Sequence, residues 1–137
     1  MNLKLIIGLG NPGKRYAKTY HNVGHLAIAF LTRHSPTDQL LKSTVYMNES
    51  GSFVASALKK DGVRPEELLI IHDDSDIELG RSKLAFGRGS AGHKGVQSII
   101  DALKTKNFWR WRIGIRAPEH AGQRRRSVRP LRKIGRK

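Results

Sequence analysis

His21 lies in the stretch Tyr20-His21-Asn22-Val23-Gly24, and an acidic group, His72-Asp73-Asp74-Ser75-Asp76, follows further along the chain. An imidazole is neutral near pH 7 and can take a proton from water. To act as a base it needs a partner that fixes its tautomer, and Asp73 or Asp76 can supply that carboxylate. The side-chain amides of Asn11, Asn22 and Asn48 each offer a donor and an acceptor. They suit helix caps and turns, and equally a peptide backbone or a developing oxyanion. Met47 suits either a core position or the wall of an adaptable pocket. The glycine-rich loop from Gly87 to Gly95 carries Arg88, His93 and Lys94 and can hold a phosphate or stand as a solvated basic turn.

Other chemistries find less support. The chain has no cysteine, which removes disulfides, thiolate metal sites and thiol catalysis. Asp73, Asp74 and Asp76 are a possible Mg²⁺ set or a capped turn. The turn cluster Gly8-Leu9-Gly10-Asn11-Pro12-Gly13 lacks the GxGxxG spacing, and no GKS or GKT follows it. There is no Gly-x-Ser-x-Gly elbow. His21 and His25 are four apart with no glutamate between them, so a zinc pair has little basis.

These residues need a frame, and the apolar pattern supplies one. Leu3 to Gly8 reads as a buried strand. Val23, Leu26, Ala27, Phe30 and Leu31 recur at helical spacing and predict a helix over about 22–32, with Asn22 as its cap. Leu41 to Tyr46 reads as a strand. Phe53, Val54, Ala57 and Leu58 mark a second helix, capped by Asn48 or Ser50. Arg64-Pro65-Glu66-Glu67 is a turn or a single helical turn. The run Leu68-Leu69-Ile70-Ile71 is the expected central strand, with the acidic group just past its carboxyl end, where α/β proteins place their sites. Ser82 to Phe86 fits an edge strand, and Val96, Ile99, Ile100 and Leu103 a third helix. In the final strand, Trp109, Trp111, Ile113 and Ile115 share one face, with Arg110 and Arg112 on the other. Strands alternating with helices predict a three-layer α/β domain over residues 1–118, with a mixed central sheet and helices on both faces. Residues 119–137 are expected to be a mobile basic tail.

The formal net charge is +15 over 137 residues, and residues 122–137 hold eight basic side chains and no acidic one. Such an excess favours a polyanion, nucleic acid before an anionic membrane. No apolar run reaches membrane-spanning length, and the short apolar N-terminus reads as a strand rather than a signal peptide. The expected location is cytoplasmic, or an organellar matrix.

The stretches LIIGLGNPGKRYAKTYHNVG, TVYMNESG, LLIIHDDSDIELG, GSAGHKGVQSII and FWRWRIGI occur in this order. Together they resemble the bacterial-type peptidyl-tRNA hydrolase family, over most of residues 3–115. The resemblance implies cleavage of the ester between a peptide and the terminal ribose of tRNA, recycling tRNA from peptides dropped in translation. It implies His21 as general base and Asp73 as its orienting carboxylate. Asn11 and Asn48 would position the peptide and the attacked carbonyl, and Met47 would wall the channel, with Tyr16 and Lys94 completing the substrate-binding set. Arg112 and Lys83 would meet tRNA phosphate. Arg88 in the glycine-rich loop and the tail residues Arg124, Arg125 and Arg126 are further RNA-binding candidates by their charge. No metal or cofactor is implied. Lys94 stands where the family usually has asparagine, and it can donate hydrogen bonds but not accept them. The connection between Leu31 and Leu41 is short for the family, and an arginine-rich tail replaces a C-terminal helical segment. These departures sustain an alternative: an RNA-binding or ribosome-associated protein of little or no activity, with a partner covering an exposed sheet edge.

Overall fold

The computed structural model describes residues 2–13 and 19–118. Five strands form one mixed sheet: β1 (Leu5–Gly8), β2 (Leu40–Lys42), β3 (Leu68–Glu78), β4 (Ser82–Phe86) and β5 (Trp109–Arg116), in the order β2-β1-β3-β5-β4. β1 pairs in parallel with β2 and β3, β3 in parallel with β5, and β4 runs antiparallel to β5 at the edge. Three helices connect them: α1 (Val23–His34), α2 (Ser50–Asp61) and α3 (Lys94–Leu103).

The unbroken apolar run in β3 follows from cover on both faces. Leu68 and Ile70 join Leu5 and Ile7 beneath Val54 and Leu58 of α2 and Val96 and Ile99 of α3. Leu69 and Ile71 face the other way, against Ile28 of α1. The expected three layers are therefore present. α1 lies over β1, β2 and β3, which leaves the outer part of its face, on β5 and β4, less covered. Leu84 and Trp111 pair across those strands and are exposed, as is Phe86, whose ring lies 4.9 Å from that of Trp109. On the opposite face Arg110 is buried. The alternation along β5 is the one expected, with its tryptophan side the more open.

The central strand is longer than its apolar run. β5 supplies partners beyond Ile71, pairing His72 with Arg112, Asp73 with Ile113 and Asp74 with Gly114, with an irregularity before Glu78. The acidic group thus sits inside the strand rather than past its end. The expected caps also differ. Asn22 makes no side-chain capping bond to α1, and neither Asn48 nor Ser50 caps α2; Ser50 Oγ instead donates to the Met47 carbonyl at 2.7 Å. The cap of α3 is a histidine, His93, whose Nδ1 accepts the Val96 N–H at 3.1 Å. The strand expected over 41–46 is confined to Leu40–Lys42.

α1 rests on the sheet through bare backbone at Gly24. A Cβ there would lie 2.5 Å from both the Leu9 and Ile71 carbonyl oxygens. Backbone on both sides leaves no flexible side chain to yield, so Gly24→Ala is expected to destabilise the fold by about 1–3 kcal/mol. A lowered thermal midpoint would show this; an unchanged midpoint would mean that α1 tolerates a greater distance from the sheet.

Candidate active site

β1 leads through α1 to β2 on one side, while β3 lies on its other side, so the chain order switches between β1 and β3. A crevice opens outside the carboxyl ends of two such strands. Here it is a cleft of about 410 Å³, lined by Asn11, His21, Met47, Asp73–Asp76 and Ser90–Lys94.

Asp73 is the centre of the cleft's polar network. His21, in the single 3-10 turn Tyr20–Asn22 before α1, places Nδ1 at 2.8 Å from Asp73 Oδ2. His93 places Nε2 at 2.8 Å from Asp73 Oδ1. The Val96 N–H occupies His93 Nδ1 as an acceptor, so the His93 proton must be on Nε2, directed at the carboxylate. Asp73 therefore receives two imidazole donors. Burial pushes its carboxyl up, but the hydrogen bonds from His21 and His93 outweigh this and hold it well below the ordinary carboxylate range. His21 moves the other way. Its hydrogen bond to Asp73 raises it above its ordinary value of 6.5, against the opposing effect of burial. The side chain of His21 is 33% exposed and that of Asp73 7%. With Nδ1 committed to the carboxylate, Nε2 is the nitrogen that His21 offers to the cleft.

Beneath them lies His72. Its Nδ1 donates to the Asp73 carbonyl, its ring meets that of His93 edge to face at 4.6 Å, and its Nε2 has no hydrogen-bond partner. Burial, with the nearby His93 as a lesser cause, pushes it down to about 3, so it stays uncharged beside Asp73 and His93. Among the described residues, His72, Asp73 and His93 bring one possible metal-ligand atom each within 4.8 Å of one another. His72 Nε2 is unpartnered, but both His93 nitrogens are engaged in hydrogen bonds, one of which a cation would have to break.

The other wall is built from amides. Asn11 Oδ1 accepts the Met47 N–H at 2.8 Å, which leaves the Nδ2 hydrogens of Asn11 for the cleft. Lys94 is exposed at the first position of α3 and lines the cleft beside His93. Asn48 is exposed and outside the lining, although its carbonyl accepts from Ser98 Oγ at 3.1 Å. Arg112 Nε donates to Asp74 Oδ2 at 2.7 Å, and Asp74 Oδ1 accepts the Asp76 N–H. Arg112 pairs across the strands with exposed Lys83, which sets the two cations side by side. Arg88 is also exposed, on the loop whose Gly89 carbonyl is held by Arg110 Nη1 at 3.0 Å. Tyr16, Arg124, Arg125 and Arg126 lie outside the described residues, as does the tail over 119–137.

Of the residues expected from sequence, the structure joins His21, Asp73, Asn11, Met47 and Lys94 in one cleft. From sequence, His93 belongs only to a loop suited to phosphate, and nothing there signals its bond to Asp73. Its position just ahead of the helical pattern beginning at Val96 marks it as a cap, but not as a second partner of the carboxylate.

Fold and site together define an α/β protein with a hydrogen-bonded histidine and carboxylate in a cleft at the switch point of the sheet. The peptidyl-tRNA hydrolase family model matches residues 5–39 and 35–129, two stretches that meet where the sequence reading finds a shortened connection. The chain belongs to the peptidyl-tRNA hydrolase family. It is 39% identical over 139 residues to the peptidyl-tRNA hydrolase of Aquifex aeolicus, covering 87% of this chain and 72% of that one. It is 42% identical over 132 residues to that of Thermodesulfovibrio yellowstonii, covering 81% and 71%. The crystal structure of peptidyl-tRNA hydrolase from Acinetobacter baumannii is similar at 34% identity with a TM-score of 0.79, covering 88% of this chain and 71% of that one. Among the described residues, no helix is long and apolar enough to cross a membrane.

Proposed function

We propose that this protein hydrolyses the ester between peptide and tRNA in peptidyl-tRNA, with His21 as general base. The observation that carries this reading is the 2.8 Å bond from His21 Nδ1 to the buried Asp73 carboxylate in the wall of an open cleft. Water attacks the ester carbonyl while His21 Nε2 takes its proton. Asp73 holds the ring in the required tautomer and offsets the imidazolium charge. The Asn11 amide donates toward the developing oxyanion, and the amino end of α3 adds its positive field. Collapse of the tetrahedral intermediate breaks the bond to the ribose oxygen, which recovers the proton from His21. A ribose oxygen leaves more readily than an amide nitrogen, so a base, a carboxylate and amide donors suffice. Lys83, Arg88 and Arg112 supply phosphate contacts beside the cleft; Arg112 does so with its charge partly offset by Asp74. Met47 and Lys94 bound the peptide side, with Asn48 adjoining it.

The test is release of free tRNA from an N-acetylated aminoacyl-tRNA by the purified protein. His21 must be neutral to act, and Asp73 raises it, so kcat/KM is expected to rise with pH along a limb centred above 6.5. A profile already flat at and above pH 6 would remove His21 from the role. The stability linkage runs the opposite way. A raised imidazole contributes stability that is complete below 6.5 and is lost as pH rises through the folded-state value.

The exposed Leu84, Phe86 and Trp111 at the β4 edge favour a second reading, in which an RNA- or ribosome-bound partner covers that edge. Tight RNA binding with no His21-dependent turnover would support it over hydrolysis.

A further inference from the structure

We infer that Asn22 is a positioning residue that sets Asn11, and through it Met47, against the cleft. The inference rests on the hydrolase reading of the site, which gives Asn11 its donor role. Asn22 follows His21 in the chain and is 1% exposed, yet its amide leaves α1 uncapped. It turns instead to one residue: Asn11 N–H donates to Asn22 Oδ1 at 2.8 Å, and Asn22 Nδ2 donates to the Asn11 carbonyl at 2.8 Å. A neighbouring strand would satisfy a residue's backbone in a similar way. Among the described residues no strand does so here, because β1 loses its strand pairing after Gly8, and the last sheet-like bond runs from Leu9 N to the Ile71 carbonyl at 2.9 Å. The Asn22 amide thus replaces a missing strand partner three residues past the end of β1.

The clamp acts through a chain of bonds. With its backbone fixed by Asn22, Asn11 receives the Met47 N–H on Oδ1 at 2.8 Å. That bond fixes which end of the Asn11 amide faces the cleft. The turn at 20–22 therefore holds the base directly in His21 and the amide wall indirectly through Asn22. Asn22→Asp keeps the shape and the bond from the Asn11 N–H, but sets a carboxylate oxygen against the Asn11 carbonyl with no proton to donate. Asn22→Leu removes both bonds at similar volume.

The experiment uses the full chain and N-acetylated aminoacyl-tRNA. Asn22→Asp and Asn22→Leu are each expected to lower kcat about 10-fold or more, with KM changed far less, as a misplaced positioning group does. In an Asn11→Ala background the Asn22→Asp change is expected to cost less than threefold, because its route to the cleft is already gone. Equal losses in both backgrounds would overturn the inference, as would an unchanged kcat in the single variants. Amide hydrogen exchange gives a readout free of turnover: the Asn11 and Met47 N–H groups are expected to exchange faster in Asn22→Leu, with core amides such as Ile70 unchanged. If wild type shows no ester hydrolysis, the hydrolase reading fails, while exchange still decides the clamp. Unaltered exchange at Asn11 and Met47 would show that there is no clamp.

Discussion

His21→Ala is expected to lower kcat for N-acetylated aminoacyl-tRNA by about 10²–10⁴-fold at pH 7.5, the range that a positioned general base supplies. The fold should survive. His21 is a third exposed and lies outside both apolar clusters. Asp73 also keeps its bond from His93. RNA affinity is expected to stay within about twofold, because the cations proposed to meet phosphate lie on β4, β5 and the loop between β4 and α3, and none of them changes. Single-turnover release of tRNA alongside a binding titration separates the two quantities. Full activity in the alanine variant would leave the cleft without its base and end the hydrolase mechanism as drawn.

Asp73→Asn is expected to be as damaging, on the order of 10³–10⁴-fold in kcat, for a reason specific to this site. Two imidazole N–H groups converge on the Asp73 carboxylate, one on each oxygen. A carboxylate can accept both, whereas an amide offers one oxygen and one NH₂ group. His93 cannot switch tautomer without giving up the Val96 N–H that caps α3. The amide oxygen therefore goes to His93, and its NH₂ group meets His21 Nδ1. His21 must then carry its proton on Nε2, the nitrogen meant to receive one from water. A His93→Asn, Asp73→Asn double variant releases that constraint and is expected to recover part of the loss. If Asp73→Asn falls less than tenfold, or the pair is merely additive, His93 does not govern the tautomer. Nitrogen chemical shifts of the two histidines report the protonation pattern directly.

Much of the fold is legible in the residues because the apolar pattern answers to cover. The run Leu68–Ile71 announces a central strand, and the spacing of Val96, Ile99, Ile100 and Leu103 announces α3. Pairing that depends on a distant strand leaves a weaker mark. His72, Asp73 and Asp74 look like a turn because they are polar, and only β5 alongside reveals them as strand. The caps mislead for a related reason: Asn22 has the chemistry of a helix cap, but Asn11 offers it two bonds at once. His21 and Asp73 are visible as a base and a candidate partner. The arrangement of two histidines on one carboxylate is not, because it depends on where α3 begins relative to the end of β3. Arg112 shows the same limit, since the strand pattern gives its face but not the Asp74 carboxylate waiting there.

Gly24 is three places after His21, and its missing side chain sets how near α1 can come to Leu9 and Ile71. A side chain there would have to lift the start of α1 away from those two backbones, and the turn that carries His21 would move with it. The seating of the imidazole beside Asp73 is thus tied to a shortage of room three residues further along the chain.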